Sequence, residues 1–219
     1  MKKALLFGSI GVLTETSELQ RRAYNKALKL NDIEYTWNIG TYCELLKKPG
    51  GKKRLSSFGD EILSDEQIEK IHTDKQRIFE NLVKDGIEPR PGCLQTLKKC
   101  KELGIKVGFV TTTTPKTINI IKEGLSNFLD FEDFDLITSN QKVTFDKPNP
   151  EVYKYALKEL GISANDAVAI EDTTVNQSCA VESGIECHIF PGEYATIGHK
   201  DMVGKKFISE KLEFSEIIV

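Results

Sequence analysis

Four short stretches carry the side chains with which this sequence could hold or transfer a charged group. Gly8-Ser9-Ile10-Gly11 follows one apolar run, and Thr111-Thr112-Thr113-Thr114 follows another. Asp146-Lys147-Pro148 supplies a lysine, and Glu171-Asp172-Thr173-Thr174 supplies two carboxylates. An open parallel sheet binds ligands beyond the carboxyl ends of its strands, so residues just after strands converge on one edge. Hydroxyls and free N–H groups at a helix N-terminus hold an oxyanion there, and a lysine neutralises it. Taken singly, each stretch has a plainer reading. Four threonines serve as a strand end and a helix cap, a lysine before proline as a solvated loop residue, and Glu171-Asp172 as acids complementing a helix dipole. Only their convergence makes an anion site.

The elements that would position them follow a repeated grammar. Leu94, Leu97, Cys100 and Leu103 recur at helical spacing, Gly104-Ile105 stops the helix, and Lys106 to Val110 reads as a strand. Val152, Ala156, Leu157 and Leu160 form the next stripe, ended by Gly161-Ile162 before a strand at Ala167 to Ile170. Val175 to Ser183 ends at Gly184-Ile185 before Cys187 to Phe190. Glycine just past a helix supplies the left-handed residue of the C-terminal cap, and the following Ile packs back on the helix. Thr114-Pro115 and Asn149-Pro150 each place a capping residue before a proline at the first helical position. Lys3 to Phe7 and Leu136 to Thr138 add two strands. Helices alternating with short buried strands predict an α/β fold with a parallel sheet.

Residues 16–88 break the pattern. They hold helical stretches at Ser17 to Leu30, Ile39 to Leu46 and Asp65 to Lys84, the last opened by a capping-box spacing from Ser64 to Gln67, and no convincing strand. Glu88-Pro89-Arg90-Pro91-Gly92 leads back. The expected division is a core of 1–15 and 89–219 and an inserted all-helical cap domain of 16–88.

With these motifs in this order, the chain resembles the haloacid dehalogenase superfamily, in its helical-cap branch, over essentially its whole length. Lys3 to Phe7 matches the strand into the family's first motif, Val110-Thr111 its second, Lys147-Pro148-Asn149-Pro150 its third and Ala169 to Asp172 its fourth. Glu15, Glu18, Arg21, Arg22 and Gly50 to Arg54 resemble the cap of phosphatases acting on sugar bisphosphates, the xylulose-1,5-bisphosphate phosphatases foremost. The resemblance implies a Rossmann-like core, Thr111, Thr112 and Lys147 as holders of the transferred phosphate, Glu15, Arg21, Arg22, Lys52 and Arg54 as contacts to the rest of the substrate, and Asp172 with Glu171 as ligands of Mg2+. Arg21-Arg22 also reads as a solvated helix face, and Gly50 to Arg54 as a basic surface loop.

One departure outweighs these matches. The family's first motif is Phe-Asp-x-Asp-Gly, whose first Asp attacks phosphorus and binds the metal and whose second is the acid/base. Here it reads Phe7-Gly8-Ser9-Ile10-Gly11. Gly8 cannot form a phosphoaspartate and Ile10 cannot shuttle a proton. Ser9 is expected to point to the opposite face from Thr111 and Lys147 and has no base, since none of the four motif loops contains a His. His72 and His188 read as structural, while Glu15 could orient a water. Mg2+ binding is expected to be weakened, and a pocket with two fewer carboxylates needs no metal to accept an anion.

Composition sets the outer bounds. With 30 basic and 33 acidic residues the net charge is -3, which argues against a dedicated nucleic-acid binder. No apolar run is long enough to cross a membrane, and the N-terminal apolar stretch is too short for a signal peptide. Five cysteines with no CxxC fit a reducing cytoplasm. Three readings follow: a silent phosphatase homologue binding a phosphorylated sugar or similar anion, with room for a protein partner; a phosphohydrolase of atypical mechanism; and a ligand-free interaction protein.

Overall fold

The computed structural model describes residues 1–47, 50–56, 63–198 and 205–218. They form two compact units: Met1–Glu15, Ile87–Gly192 and Ile197–Val219 in the first, Thr16–Gly86 with Glu193–Thr196 in the second. The short segment at 193–196 therefore groups with the helical insertion, although no local signal in the sequence separates it from its neighbours.

The first unit is a six-stranded parallel sheet. In chain order its strands are β1 (Ala4–Phe7), β2 (Lys106–Phe109), β3 (Leu136–Ile137), β4 (Ala167–Glu171), β5 (Glu186–Ile189) and β6 (Lys206–Phe207). In space they run β3-β2-β1-β4-β5-β6, so the strand order reverses at β1, flanked by β2 and β4. Both β1 and β4 are buried throughout, as the apolar runs of a parallel sheet covered on two faces must be. Their alternation sorts the layers. Ala4, Leu6, Ala167 and Ala169 pack with Val152, Tyr153 and Ala156, whereas Phe7 and Phe109 meet Phe131 and Phe134 in an aromatic cluster.

Helices α6 (Cys93–Glu102), α8 (Glu151–Leu160) and α9 (Thr174–Glu182) all end as their Gly-Ile pairs require. Gly104, Gly161 and Gly184 have positive φ, and the following Ile N–H bonds back to the carbonyl of Cys100, Leu157 and Ala180. Helix α7 (Pro115–Gly124) is capped by Thr114, whose hydroxyl accepts the Thr117 N–H. Helix α8 differs in one detail from the expected start: it begins at Glu151, and the Asn149 side chain accepts the Glu151 N–H. Three short elements carry no signal in the sequence pattern. They are α1 (Ile10–Leu13), the two-residue strand β6 and α10 (Phe214–Ile217).

The second unit holds α2 (Ser17–Leu30), α3 (Ile39–Leu46), α4 (Gly51–Ser56) and α5 (Asp65–Lys84). Helix α4 stands where the alternative reading of Gly50 to Arg54 put a basic surface loop. The Ser64–Gln67 capping box opens α5 with both reciprocal bonds present. The buried face of α5 runs Ile68, Ile71, Lys75, Ile78, Phe79, Leu82, an amphipathic spacing with a lysine in its middle. Lys75 lies over the rings of Tyr24 and Phe79 at 5.0 and 5.1 Å. Burial, aided by the Arg54 charge, pushes its pKa down to about 7.

Two predictions follow from this architecture. Gly92 sits at φ 85°, and a Cβ there would lie 2.8 Å from Leu212 C and overlap its O. Gly92→Ala is expected to lose about 3 kcal/mol or more in urea denaturation, from left-handed strain plus a backbone clash. A lysine whose folded pKa lies below its unfolded value destabilises the fold most below the folded pKa, and the penalty lifts as pH rises above it. Tm should therefore climb from pH 6.5 to 9, and Lys75→Met should flatten that climb; an unchanged slope in the variant would contradict the assignment.

Candidate active site

The carboxyl ends of β1, β2 and β4 bring the predicted motifs together. Parity determines what meets. Glu171 shares a sheet face with Ala167 and Ala169, the face covered by Tyr153 from α8. The Tyr153 hydroxyl donates to Glu171 Oε1 at 2.7 Å. Lys147 arrives on the loop before α8. That loop is tied down by the Glu151 carboxylate, which accepts the Thr144 and Phe145 N–H groups at 3.0 and 2.9 Å, and by Thr112, whose hydroxyl accepts the Lys147 N–H at 3.4 Å.

The Lys147 ammonium donates to the Gly8 carbonyl, to the Val110 carbonyl at 2.8 Å and to Glu171 Oε1. The ion pair is interior: Lys147 is 8% exposed, and Glu171 and Tyr153 are 0%. Burial pushes the Glu171 carboxyl above the usual carboxylate range against the opposing pull of Lys147, and Asp172 adds to the rise. Burial and the neighbouring carboxylate also hold the Tyr153 phenol well above its ordinary value, so it acts as a donor. Glu171 Oε2 is buried without a hydrogen-bond partner.

Position 8 is where these contacts meet. A Cβ on Gly8 would overlap Glu171 Cδ and Oε1 and the Tyr153 hydroxyl. The space a nucleophilic side chain would need is occupied by the chain's own carboxylate and phenol. Ile10 lies in α1, and Ser9 precedes that helix in extended conformation with its Oγ buried and unpartnered.

The remaining predicted residues are distributed as follows. Thr111 exchanges two 2.8 Å bonds with Thr138, N–H to hydroxyl and hydroxyl to carbonyl, while its own hydroxyl accepts the Thr113 N–H. Asp172 lies over Gly11, where a Cβ would overlap its Oδ2, and its other oxygen accepts from Asn176 at 3.3 Å. Glu15 is packed against Gly192. Arg90 is stacked 3.4 Å from the Phe190 ring and donates to the carbonyls of Gly11, Phe190 and Pro191, bracing the turn that carries Gly8 to Gly11. In the helical unit, Arg21 clamps Glu18 with two 2.8 Å bonds and donates to Trp37 O. Arg22 is exposed, Lys52 is exposed and paired with Glu69, and Arg54 donates to Leu45 O.

Two contributors were not singled out from the sequence. Tyr153 lies one turn before Ala156 on an apolar stripe, and its signal was available: a buried tyrosine needs a partner for its hydroxyl. Thr138 bonds across the sheet, and no local pattern announces that.

The residues do not fit the Mg2+ implied by the family resemblance. Mg2+ takes six oxygens, usually one or two carboxylates with waters and phosphate. Here Gly8 offers no carboxylate, one oxygen of Glu171 is held by an ammonium and a phenol, and Asp172 stands alone. Among the described residues no three His, Cys, Asp or Glu side chains gather as a metal would require.

The sequence profile of haloacid dehalogenase-like hydrolases matches residues 11–190. Protein CbbY of Cereibacter sphaeroides is 33% identical over 208 residues, covering 93% of this chain and 90% of that protein. A phosphorylated carbohydrates phosphatase of Thermotoga maritima is 28% identical, covering 84% of this chain and 82% of its own. The crystal structure of a CbbY variant from Rhodobacter sphaeroides in complex with xylulose-1,5-bisphosphate superposes with a TM-score of 0.85 at 31% identity, covering 96% of this chain and 95% of that one.

The crowding at position 8 is testable by the smallest side chain. Gly8→Ala is expected to cost about 2 kcal/mol, in the range for overpacking a filled core, measured by urea denaturation. A neutral result would show that Glu171 moves aside freely.

Proposed function

The chain belongs to the haloacid dehalogenase-like hydrolase family, and from that membership and its altered site we propose a silent homologue of sugar phosphatases. It recognises a phosphorylated sugar without turning it over. One observation carries the loss of chemistry: the nucleophile position is Gly8, and Glu171 and Tyr153 fill the space beside it. An aspartate side chain cannot be restored there in thought without displacing a buried ion pair. Beside it, Ser9 Oγ has no hydrogen-bond partner and Ile10 has no titratable group, while Glu15, the residue that could orient a water, is packed against Gly192.

Recognition has separate support. The similar CbbY structure holds a sugar bisphosphate. Arg22, Lys52 and Arg54 supply positive charge on the helical unit. The charge of Arg21 is instead matched by Glu18. Thr111 and Thr112 remain at the end of β2, with Lys147 beside them as a cation already matched by Glu171. A phosphate at Thr111, Thr112 and Lys147 would compete with that carboxylate, so affinity there should be modest.

The setting that fits best is a reducing cytoplasm. All five cysteines are free, four of them buried, and no described helix is long and apolar enough to cross a membrane.

A panel of sugar mono- and bisphosphates separates the alternatives. With Mg2+ and micromolar protein, phosphate release should not exceed the blank, while xylulose-1,5-bisphosphate or a close relative should raise Tm. Release that disappears in Lys147→Ala would contradict silence. A Tm indifferent to every sugar phosphate would favour a ligand-free interaction protein.

A further inference from the structure

The oxygens around Lys147 are of the kind that normally surround a metal ion. Two backbone carbonyls, of Gly8 and Val110, and one carboxylate oxygen of Glu171 accept its three N–H donors. Small divalent cations prefer such hard oxygen donors. Here all three face an ammonium, which also lies 4.8 Å from the centroid of the Tyr153 ring.

Charge points the same way. With no carboxylate at position 8, Lys147 and Glu171 cancel, and Asp172 alone remains, turned toward Asn176 and Gly11. A divalent cation among these oxygens would sit beside an ammonium that already occupies them, and the repulsion would be strong in so dry a site. The Glu171 Oε2 is buried without a hydrogen-bond partner, and among the described residues no three His, Cys, Asp or Glu side chains gather around it.

We propose that Lys147 is the resident cation of this core. Its tethered ammonium balances the buried carboxylate that a divalent cation would otherwise help to balance, and the chain assembles and holds its site without metal. This holds whether or not a sugar phosphate binds, so its failure and that of the functional reading are separable.

The test is Mg2+ titration of the full chain after EDTA treatment, to about 10 mM at constant ionic strength, read by thermal unfolding and calorimetry. A ligand that binds only the folded state raises Tm in a saturable way, so the parent is expected to shift by less than about 1 °C and to give no saturable heat. Lys147→Ala uncovers the Gly8 carbonyl and Glu171, and its Tm is expected to rise saturably with Mg2+. If it is unfolded in EDTA, recovery on adding Mg2+ supports the proposal equally. Lys147→Arg keeps a cation among the same oxygens and should be as indifferent to Mg2+ as the parent. A saturable Mg2+ response from the parent or from Lys147→Arg overturns the proposal, as does a folded Lys147→Ala that ignores the metal.

Discussion

A buried lysine–carboxylate pair is the constraint on which the rest of the site depends. Taking two charges out of water costs several kcal/mol each, and their attraction repays this only with good geometry and with the remaining donors satisfied. Lys147 meets that condition, with all three N–H donors placed on oxygens of β1's exit, β2's exit and β4. Tyr153 completes the arrangement from α8. Removing either charge leaves the other uncompensated in the interior, so the three strand ends, the loop bearing Lys147 and α8 are held by one set of contacts.

That arrangement is the physical basis of the proposed silence of a chain that keeps the fold of haloacid dehalogenase-like hydrolases. In an active site the lysine, the hydroxyls and the carboxylates are arranged toward a substrate. Here much of the same inventory is arranged toward itself. Glycine at position 8 is compatible with the change, since any Cβ would intrude on Glu171 and Tyr153. The neighbouring turn is kept by other means: Arg90 braces Gly11 and the exit of β5, and Asp172 lies over Gly11. Phe7 and Gly11 thus frame Gly8 and Ile10.

Much of the fold was legible because its signals are local. The Gly-Ile pairs at 104–105, 161–162 and 184–185 specify left-handed caps, and the apolar runs at β1 and β4 specify buried parallel strands. The missing carboxylates at 8 and 10 could be read directly. The internal engagement of Lys147 could not, because it depends on residues 24 and 139 positions away in sequence, Glu171 and Gly8. Nor could β6 or α4, which are too short for a periodicity to show. Arg21 illustrates the same limit: its clamp on Glu18 and its bond to Trp37 O depend on packing within the helical unit.

A double-mutant cycle on Lys147→Ala and Glu171→Gln, measured by urea denaturation, addresses the central pair most directly. Buried partners in one network couple by up to about 3 kcal/mol, and a pair on which three strand ends depend should reach at least about 2 kcal/mol. The double variant would then be much less destabilised than the sum of the singles. Additive losses, with coupling near zero, would mean that Lys147 is not held by Glu171 and that the lysine is free for a substrate phosphate.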